Sequence, residues 1–312
     1  MTSERPSHAT LLFLAPSLIW GSTWLAIKYQ LGVVPAEVSV VYRFAAAGLL
    51  LMAWCAATRK PLRFSRLDHV YLALQGALMF GFNYVAVYLS EEELTSGLVA
   101  VLFSTIVFMN PVGLRLVHGT PLSLRLLVAA ALGVTGVALM FLPELLAARQ
   151  NDRAGIGIAY GLAAAALASA GNLVTMRNQR AGIPTFPGTA WGMLYGACAA
   201  ALCALARGSP WTIDPRPEYW LTFAYLVLVG SIAAFGAYLT LLKRVGAGPS
   251  AFVGVATPVI ALALSTLFEG YRWTGVAVAG VALAVIGNVL AMPAWARWRA
   301  RAAASRASGR RR

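Results

Sequence analysis

The sequence predicts an all-α integral membrane protein: ten transmembrane helices as two inverted five-helix repeats, with both termini on the cytoplasmic side. Three observations predict it. The composition is that of a chain in lipid, 59% hydrophobic and 12% charged over 312 residues, with a mean hydropathy of +0.71. A soluble domain is nearer 45–50% apolar and about 25% charged. Ten apolar runs reach the ~20 residues that a membrane helix needs. The basic residues between those runs alternate in abundance, as they do when cytoplasmic loops collect Lys and Arg.

The runs cover 10–30, 35–57, 69–90, 96–117, 121–143, 155–177, 187–207, 219–242, 247–268 and 273–295. The first follows "MTSERPSHAT" and reads as a span rather than a signal peptide, since one arginine precedes an apolar stretch of full spanning length. With the N-terminus inside, the inner segments hold Arg5, the cluster Arg59, Lys60, Arg63 and Arg66, then Arg115, Arg125, Arg177, Arg180, Lys243, Arg244 and seven arginines of the tail, eighteen of the 25 basic residues. Nine of the eleven acidic residues, Glu91, Glu92 and Glu93 among them, then fall at the outer ends. The net charge of +14 is therefore spread along a membrane edge, where anionic lipid attracts it. It does not point to a nucleic-acid partner. The lipid bilayer and a small-molecule substrate are the expected partners, and a monomer suffices.

The chain repeats itself. "WGSTWLAIKYQ" at 20–30 precedes "AGNLVTMRNQR" at 170–180 by 150 residues, "YLS" at 88–90 precedes "YLT" at 238–240 by the same offset, and "SGLVAVLF" at 96–103 precedes "AGPSAFVG" at 247–254 by 151. Five spans is an odd number, so the second copy enters the membrane inverted. The expected division is a first five-helix repeat at 1–145, a second at 146–296 and a basic cytoplasmic tail at 297–312. Pro111 lies in the fourth run and Pro258 in the ninth, and the offset carries Pro258 onto Val107, one turn before Pro111. A proline inside a helix removes a hydrogen bond and bends it. These two are the hinge candidates.

Polar side chains inside spans are costly and face the bundle or water. Trp20, Trp24 and Lys28 follow i, i+4, i+8 on one face of the first span. Asn83, Tyr84 and Tyr88 lie together in the third, and Ser104, Thr105, Phe108 and Asn110 near Pro111 in the fourth. The second half adds Asn172, Thr175, Tyr238 and Thr257. Aromatic faces with a few amides and hydroxyls suit a small amphiphilic solute; interfacial anchoring and interhelical hydrogen bonds are the structural alternatives. "GIAYG" at 157–161 and "GMLYG" at 192–196 are expected to let helices pack closely.

The most informative residue is Arg43, in "EVSVVYRFAAAGLLLMAW" at 37–54. It lies roughly 10 Å into the second span at ~1.5 Å per residue. Its helical neighbours Ala36, Ser39, Ala46 and Ala47 are small, so it is expected to point into protein. With no acidic residue expected at its depth, its partners would be carbonyls, amides, water or a substrate anion. Either it ties kinked backbone together with its five donors, or it borders the cavity and draws an anion.

Enzyme chemistry finds no support. There is no GxxxxGK[ST] loop, His8, His69 and His118 lack metal-ligand spacing, and no carboxylates are paired within a span. No catalytic residue, cofactor or metal is expected. Cys55, Cys198 and Cys203 are an odd set in or beside apolar runs, read as packing residues.

These residues resemble the EamA-type transporters of the drug/metabolite transporter (DMT) superfamily over nearly the whole chain. The segments that carry the likeness are "WGSTWLAIK", the arginine of "VVYRFAAAGLLL", "NYVAVYLS" with "LTSGLVAVLFST", "TPVIALALSTLFEG" and "GVAVAGVALAVIGNVL". The resemblance implies a secondary transporter of the bacterial inner membrane, exporting small metabolites such as amino acids or related compounds. The alternatives are an uncoupled facilitator or channel-like permease and, more remotely, an integral-membrane enzyme. The family commonly ends both copies of the fourth-span element with Gly-Glu. Here Glu269 keeps the acid in the second copy and His118 stands in the first, so Glu269 is the candidate coupling acid.

Overall fold

A computed structural model of the chain describes residues 6–119, 122, 124–140, 142, 153–245 and 253–291. The basic tail at 297–312, Arg5 and Arg149 lie outside them. Every regular element among the described residues is helical. The helices are α1 (Pro6–Lys28), α2 (Ala36–Ala57), α3 (Arg66–Glu93), α4 (Ser96–Ser104 continuing as Ile106–His118), α5 (Leu124–Met140), α6 (Arg153–Arg180), α7 (Thr185–Arg207), α8 (217–245), α9 (Val253–Phe268) and α10 (Gly275–Ala291). Six of them, α2, α3, α4, α6, α7 and α8, are long and apolar enough to cross a membrane, and α5, α9 and α10 are shorter apolar helices.

Local chemistry sets several of the ends. Ser65 and Asp68 form a capping box at the start of α3, the Ser65 hydroxyl accepting from the Asp68 N–H at 3.1 Å. Gly119 and Gly208 close α4 and α7 in the left-handed conformation, with φ of 67° and 66°. Pro217 occupies the first turn of α8, where its missing N–H costs nothing. Both α3 and α8 contain a π-helical stretch, Ala77–Phe82 and Tyr225–Ala233, in matching places. A π stretch displaces carbonyls from their usual partners, and polar side chains take them up. Asn83 Nδ2 donates to Met79 O at 3.0 Å in α3, and Ser231 Oγ to Leu226 O at 2.8 Å in α8.

Two features differ from the sequence reading. The third run was expected to end at residue 90, with Glu91, Glu92 and Glu93 in an outer loop. The helix instead continues to Glu93, because Lys28 Nζ caps it by donating to the carbonyls of Glu91 and Leu94. A cation on the last carbonyls of a helix is favourable. The fourth run was expected as one helix with Pro111 a hinge candidate; α4 is interrupted at Thr105, and Pro111 sits inside its second segment. Helix α9 passes through Pro258 unbroken.

The packing interleaves the two halves. Helix α2 lies on α7, α5 on α10, and α4 on α9. The pairs α3–α6 and α4–α6 have their counterparts in α8–α1 and α9–α1, so these contacts map onto themselves when every helix is shifted by five. Close approach needs glycine where helices cross. A Cβ on Gly76 of α3 would stand 2.3 Å from Gly192 O of α7, and one on Gly136 of α5 would stand 2.5 Å from Gly280 O of α10.

Candidate functional site

Arg43 is 2% exposed. Its α2 face is small, as the sequence suggested, and Ala36, Ser39 and Ala47 are buried with it. The guanidinium lies against two touching aromatic rings, its carbon 4.8 Å from the Tyr84 ring centroid and 5.1 Å from that of Phe44. Its Nη2 faces the π stretch of α8, 3.8 Å from where a Cβ on Gly230 would be. Ring faces attract a cation, but they do not satisfy N–H donors: among the described residues Nε and Nη1 have no hydrogen-bond partner.

Around it runs a polar face of α3. Tyr84, Tyr88 and Glu91 follow at spacings of four and three, the repeat of one helical face. Tyr88 is fully buried and donates to Gln30 Oε1 at 2.7 Å. Glu91 is also fully buried, and neither carboxyl oxygen has a hydrogen-bond partner among the described residues. Two acids are buried at helix ends. Glu91 stands in the last turn of α3, and Glu37 is 2% exposed in the first turn of α2, paired with Arg207 at 2.7 Å and accepting from Ser209 Oγ at 2.8 Å. Of these two only Glu37 is in an ion pair among the described residues; Lys28 Nζ beside Glu91 contacts its backbone carbonyl. Trp24 Nε1 on α1 and Gln30 Nε2 in the turn after it are buried as well, without a hydrogen-bond partner among the described residues.

The remaining candidates divide by what they touch. Trp20 donates to Gly230 O at 3.3 Å and packs on Tyr238 and Phe235, with ring centroids 5.2 and 5.4 Å away. Trp24 meets Phe103 at 5.4 Å. Asn172 and Asn110 find each other, Nδ2 to Oδ1 at 3.3 Å, and join α6 to α4. Asn83, Ser104, Thr175 and Thr257 bond to carbonyls of their own helices. Lys28 is committed to the end of α3. Glu269 caps α4, both oxygens accepting from the Ser96 N–H at 3.1 Å and one also from the Ser96 hydroxyl. A carboxylate at a helix N-terminus is well placed against the dipole. Among the described residues no cluster of His, Cys, Asp or Glu could hold a metal ion.

The two ends of the bundle differ. Residues 85–91 and 96–102 are buried throughout, whereas residues 106–117 of α4 are half-exposed or exposed apart from Phe108. Trp20, Tyr84, Phe103, Asn110, Asn172, Tyr238 and Thr257 are half-exposed. A surface cleft of about 470 Å³ lies at the closed end, lined by Lys28, Leu31, Gly32, Val33, Val34, Pro35 and Glu92. Beside it, in the segment before α8, Arg216 donates to both Asp214 oxygens at 2.5–3.0 Å and holds that carboxyl below the ordinary carboxylate range.

Sequence reasoning singled out Arg43, Tyr84, Tyr88 and the tryptophans as candidates but not Gln30 or Glu91, which lie buried beside them. The readable signal was the helical period from Tyr84 through Tyr88 to Glu91, which continues past the point where hydropathy falls.

Comparison with known proteins agrees with this architecture. The model of the EamA-like transporter family matches residues 8–142 and again 155–292. The uncharacterized inner membrane transporter YedA of Escherichia coli K12 is 28% identical over 283 residues, covering 88% of this chain and 89% of its own. The uncharacterized transporter sll0355 of Synechocystis is 26% identical, covering 89% of each. A solved crystal structure shares the fold with a TM-score of 0.63 at 20% identity, covering 92% of this chain and 97% of the other. The helices and these likenesses define a multi-pass transporter of the inner membrane. The chain belongs to the EamA-like transporter family, within the DMT superfamily.

Proposed function

We propose that the chain is a secondary transporter that exports small metabolites, such as amino acids or related compounds, by alternating access. Its ten helices cross the membrane as two inverted repeats, 1–145 and 146–296, with both termini and the 297–312 tail in the cytoplasm. Three features support the arrangement: the family model fits the chain twice, the helix contacts map onto themselves under a shift of five, and the basic residues are asymmetric. On this topology the buried end at Glu91 is the outer one, and the conformation is closed outward.

The observation that carries the functional reading is Arg43. A charge this costly to bury, with unpartnered donors and facing the π stretch of the opposite half, is explained by a solute that comes and goes. Trp20, Trp24, Tyr84 and Tyr238 are its apolar walls, and Asn110 with Asn172 its polar floor. The second reading, an uncoupled facilitator, is favoured by the commitment of both Glu269 oxygens to the cap of α4. Flux of a radiolabelled metabolite panel into proteoliposomes, with and without an imposed proton gradient, tests both. Saturable, gradient-dependent flux supports coupled transport, saturable flux indifferent to the gradient supports the facilitator, and no flux above empty liposomes refutes transport.

A further inference from the structure

The α2–α3 and α7–α8 connections occupy equivalent places in the two halves, and they treat their basic residues differently. Each begins with the same turn. Arg59 N–H donates to Ala56 O at 3.0 Å and Lys60 N–H to Cys55 O at 2.8 Å, as Gly208 does to Leu205 O at 3.1 Å and Ser209 to Ala204 O at 2.9 Å. Arg59 and Gly208 are both left-handed, with φ of 53° and 66°. Glycine holds that conformation freely, and an L side chain strains to hold it. The first half nevertheless puts an arginine there. In the α7–α8 connection the two arginines, Arg207 and Arg216, are paired with the buried carboxylates of Glu37 and Asp214. Arg59, Lys60, Arg63 and Arg66 have no such partners among the described residues. Asp68, the one acid in residues 59–90, is taken by Ser65 and Arg177.

The connection is held over an apolar surface. Trp191 Nε1 of α7 donates to Leu62 O at 3.0 Å and ties it down, and Lys60 Nζ lies 5.1 Å from the ring centroid of Trp54. Arg59, Arg63 and Arg66 are exposed. Leu67, Val70 and Leu74 follow on one face of α3 and are 60%, 63% and 44% exposed. Arg66 begins that face, one turn before Val70. Exposed apolar side chains alone are ordinary on a membrane helix. Unneutralised cations at the head of such a stripe are the complement of an anionic headgroup above its acyl chains.

We propose that the α2–α3 connection is a binding site for an anionic glycerophospholipid of the inner leaflet, its phosphate held by Arg59, Lys60, Arg63 and Arg66 and an acyl chain laid along Leu67, Val70 and Leu74. The assignment to the inner leaflet rests on the proposed topology; the site itself does not. Arginine forks suit phosphate oxygens. Diffuse attraction to a basic membrane edge acts on every exposed cation alike, whereas this site sets these four apart from the rest.

The test is native mass spectrometry of the full chain in detergent, titrated with chain-matched phosphatidylglycerol or phosphatidylethanolamine, and with inorganic phosphate as competitor. Phosphatidylglycerol should bind about tenfold or more tightly than phosphatidylethanolamine, whose ammonium offsets its phosphate. Millimolar inorganic phosphate should not displace it, because phosphate lacks the contact with the apolar stripe. Arg63→Gln combined with Arg66→Gln should weaken binding about tenfold or more, with gel filtration establishing that the variant is folded. Arg180→Gln, at the exposed inner end of α6, removes a charge elsewhere on the same edge and should leave binding unchanged. Arg59→Gly gives a readout that a merely structural arginine would not. It should lower affinity about fivefold, the scale of one basic residue at an anionic surface, while raising the Tm of the lipid-free protein, since glycine relieves the left-handed turn. The inference is overturned if phosphatidylglycerol shows no preference, if inorganic phosphate displaces it, or if the Arg63/Arg66 variant binds like the wild type. It is equally overturned if Arg180→Gln weakens binding as much as Arg59→Gly, since the attraction would then be diffuse. Binding in detergent requires neither transport nor a known orientation. Its failure leaves the transport reading standing, and absence of flux from proteoliposomes leaves the lipid site standing.

Discussion

Arg43 was legible because its neighbours are small: Ala36, Ser39, Ala46 and Ala47 leave a face that can only meet protein, and the side chain is buried there. Glu91 was not legible. Three consecutive glutamates after an apolar run look like a loop, and only a tertiary contact, Lys28 on the Glu91 and Leu94 carbonyls, carries the helix through them. Arg43→Ala should abolish flux while the variant stays monodisperse. Arg43→Lys should keep part of it, since lysine supplies the charge without the planar fork. An Arg43→Ala protein with wild-type affinity for an anionic solute would remove Arg43 from the site. Glu269 differs, because its two oxygens hold the first turn of α4. Glu269→Gln should cost about 1 kcal/mol of stability, the scale of a lost cap and dipole interaction, and reduce flux only modestly. Complete loss of proton-coupled flux at normal protein levels would contradict that assignment.

At the scale of elements, the apolar runs located the helices, but irregularities within them escaped hydropathy. Pro111 and Pro258 mark the hinge candidates; the interruption at Thr105 and the π stretches at Ala77–Phe82 and Tyr225–Ala233 carry no such mark. Around these stretches the polar exceptions to an apolar helix are Asn83 and Ser231, which the fold makes partners for displaced carbonyls. Helix α9 is unbroken at Pro258 yet lacks one backbone hydrogen bond there, so it remains the place where a bend costs least. Pro258→Ala should slow turnover more than it weakens binding, as read by kcat against Kd; equal loss of both would mark a merely structural proline. The α5–α10 contact gives a second expectation. Gly136→Val places atoms against the α10 backbone, where even a Cβ would stand 2.5 Å from both Gly280 O and Ala284 N. It should destabilise the protein by about 1–3 kcal/mol, seen as a lower Tm without a change in solute selectivity.

For the whole molecule, charge and repeat were the readable signals. Lys and Arg collect in alternate segments, and the 150-residue offset anticipates the contact pattern in which α3–α6 mirrors α8–α1. The face each polar residue presents across the halves, such as Asn110 to Asn172, depends on helix rotation, which no run of hydropathy encodes. Topology is open to a direct check: a periplasm-active phosphatase fused at the C-terminus should be inactive and one fused after Glu93 active, with the reverse pattern contradicting the orientation. The central claim is that a small solute crosses this bundle through the site at Arg43. Its most direct test is counterflow of a radiolabelled amino-acid pool into proteoliposomes holding equal amounts of folded wild-type or Arg43→Ala protein. The account predicts saturable counterflow for the wild type and a signal at the empty-liposome level for the variant; equal counterflow through both would contradict it.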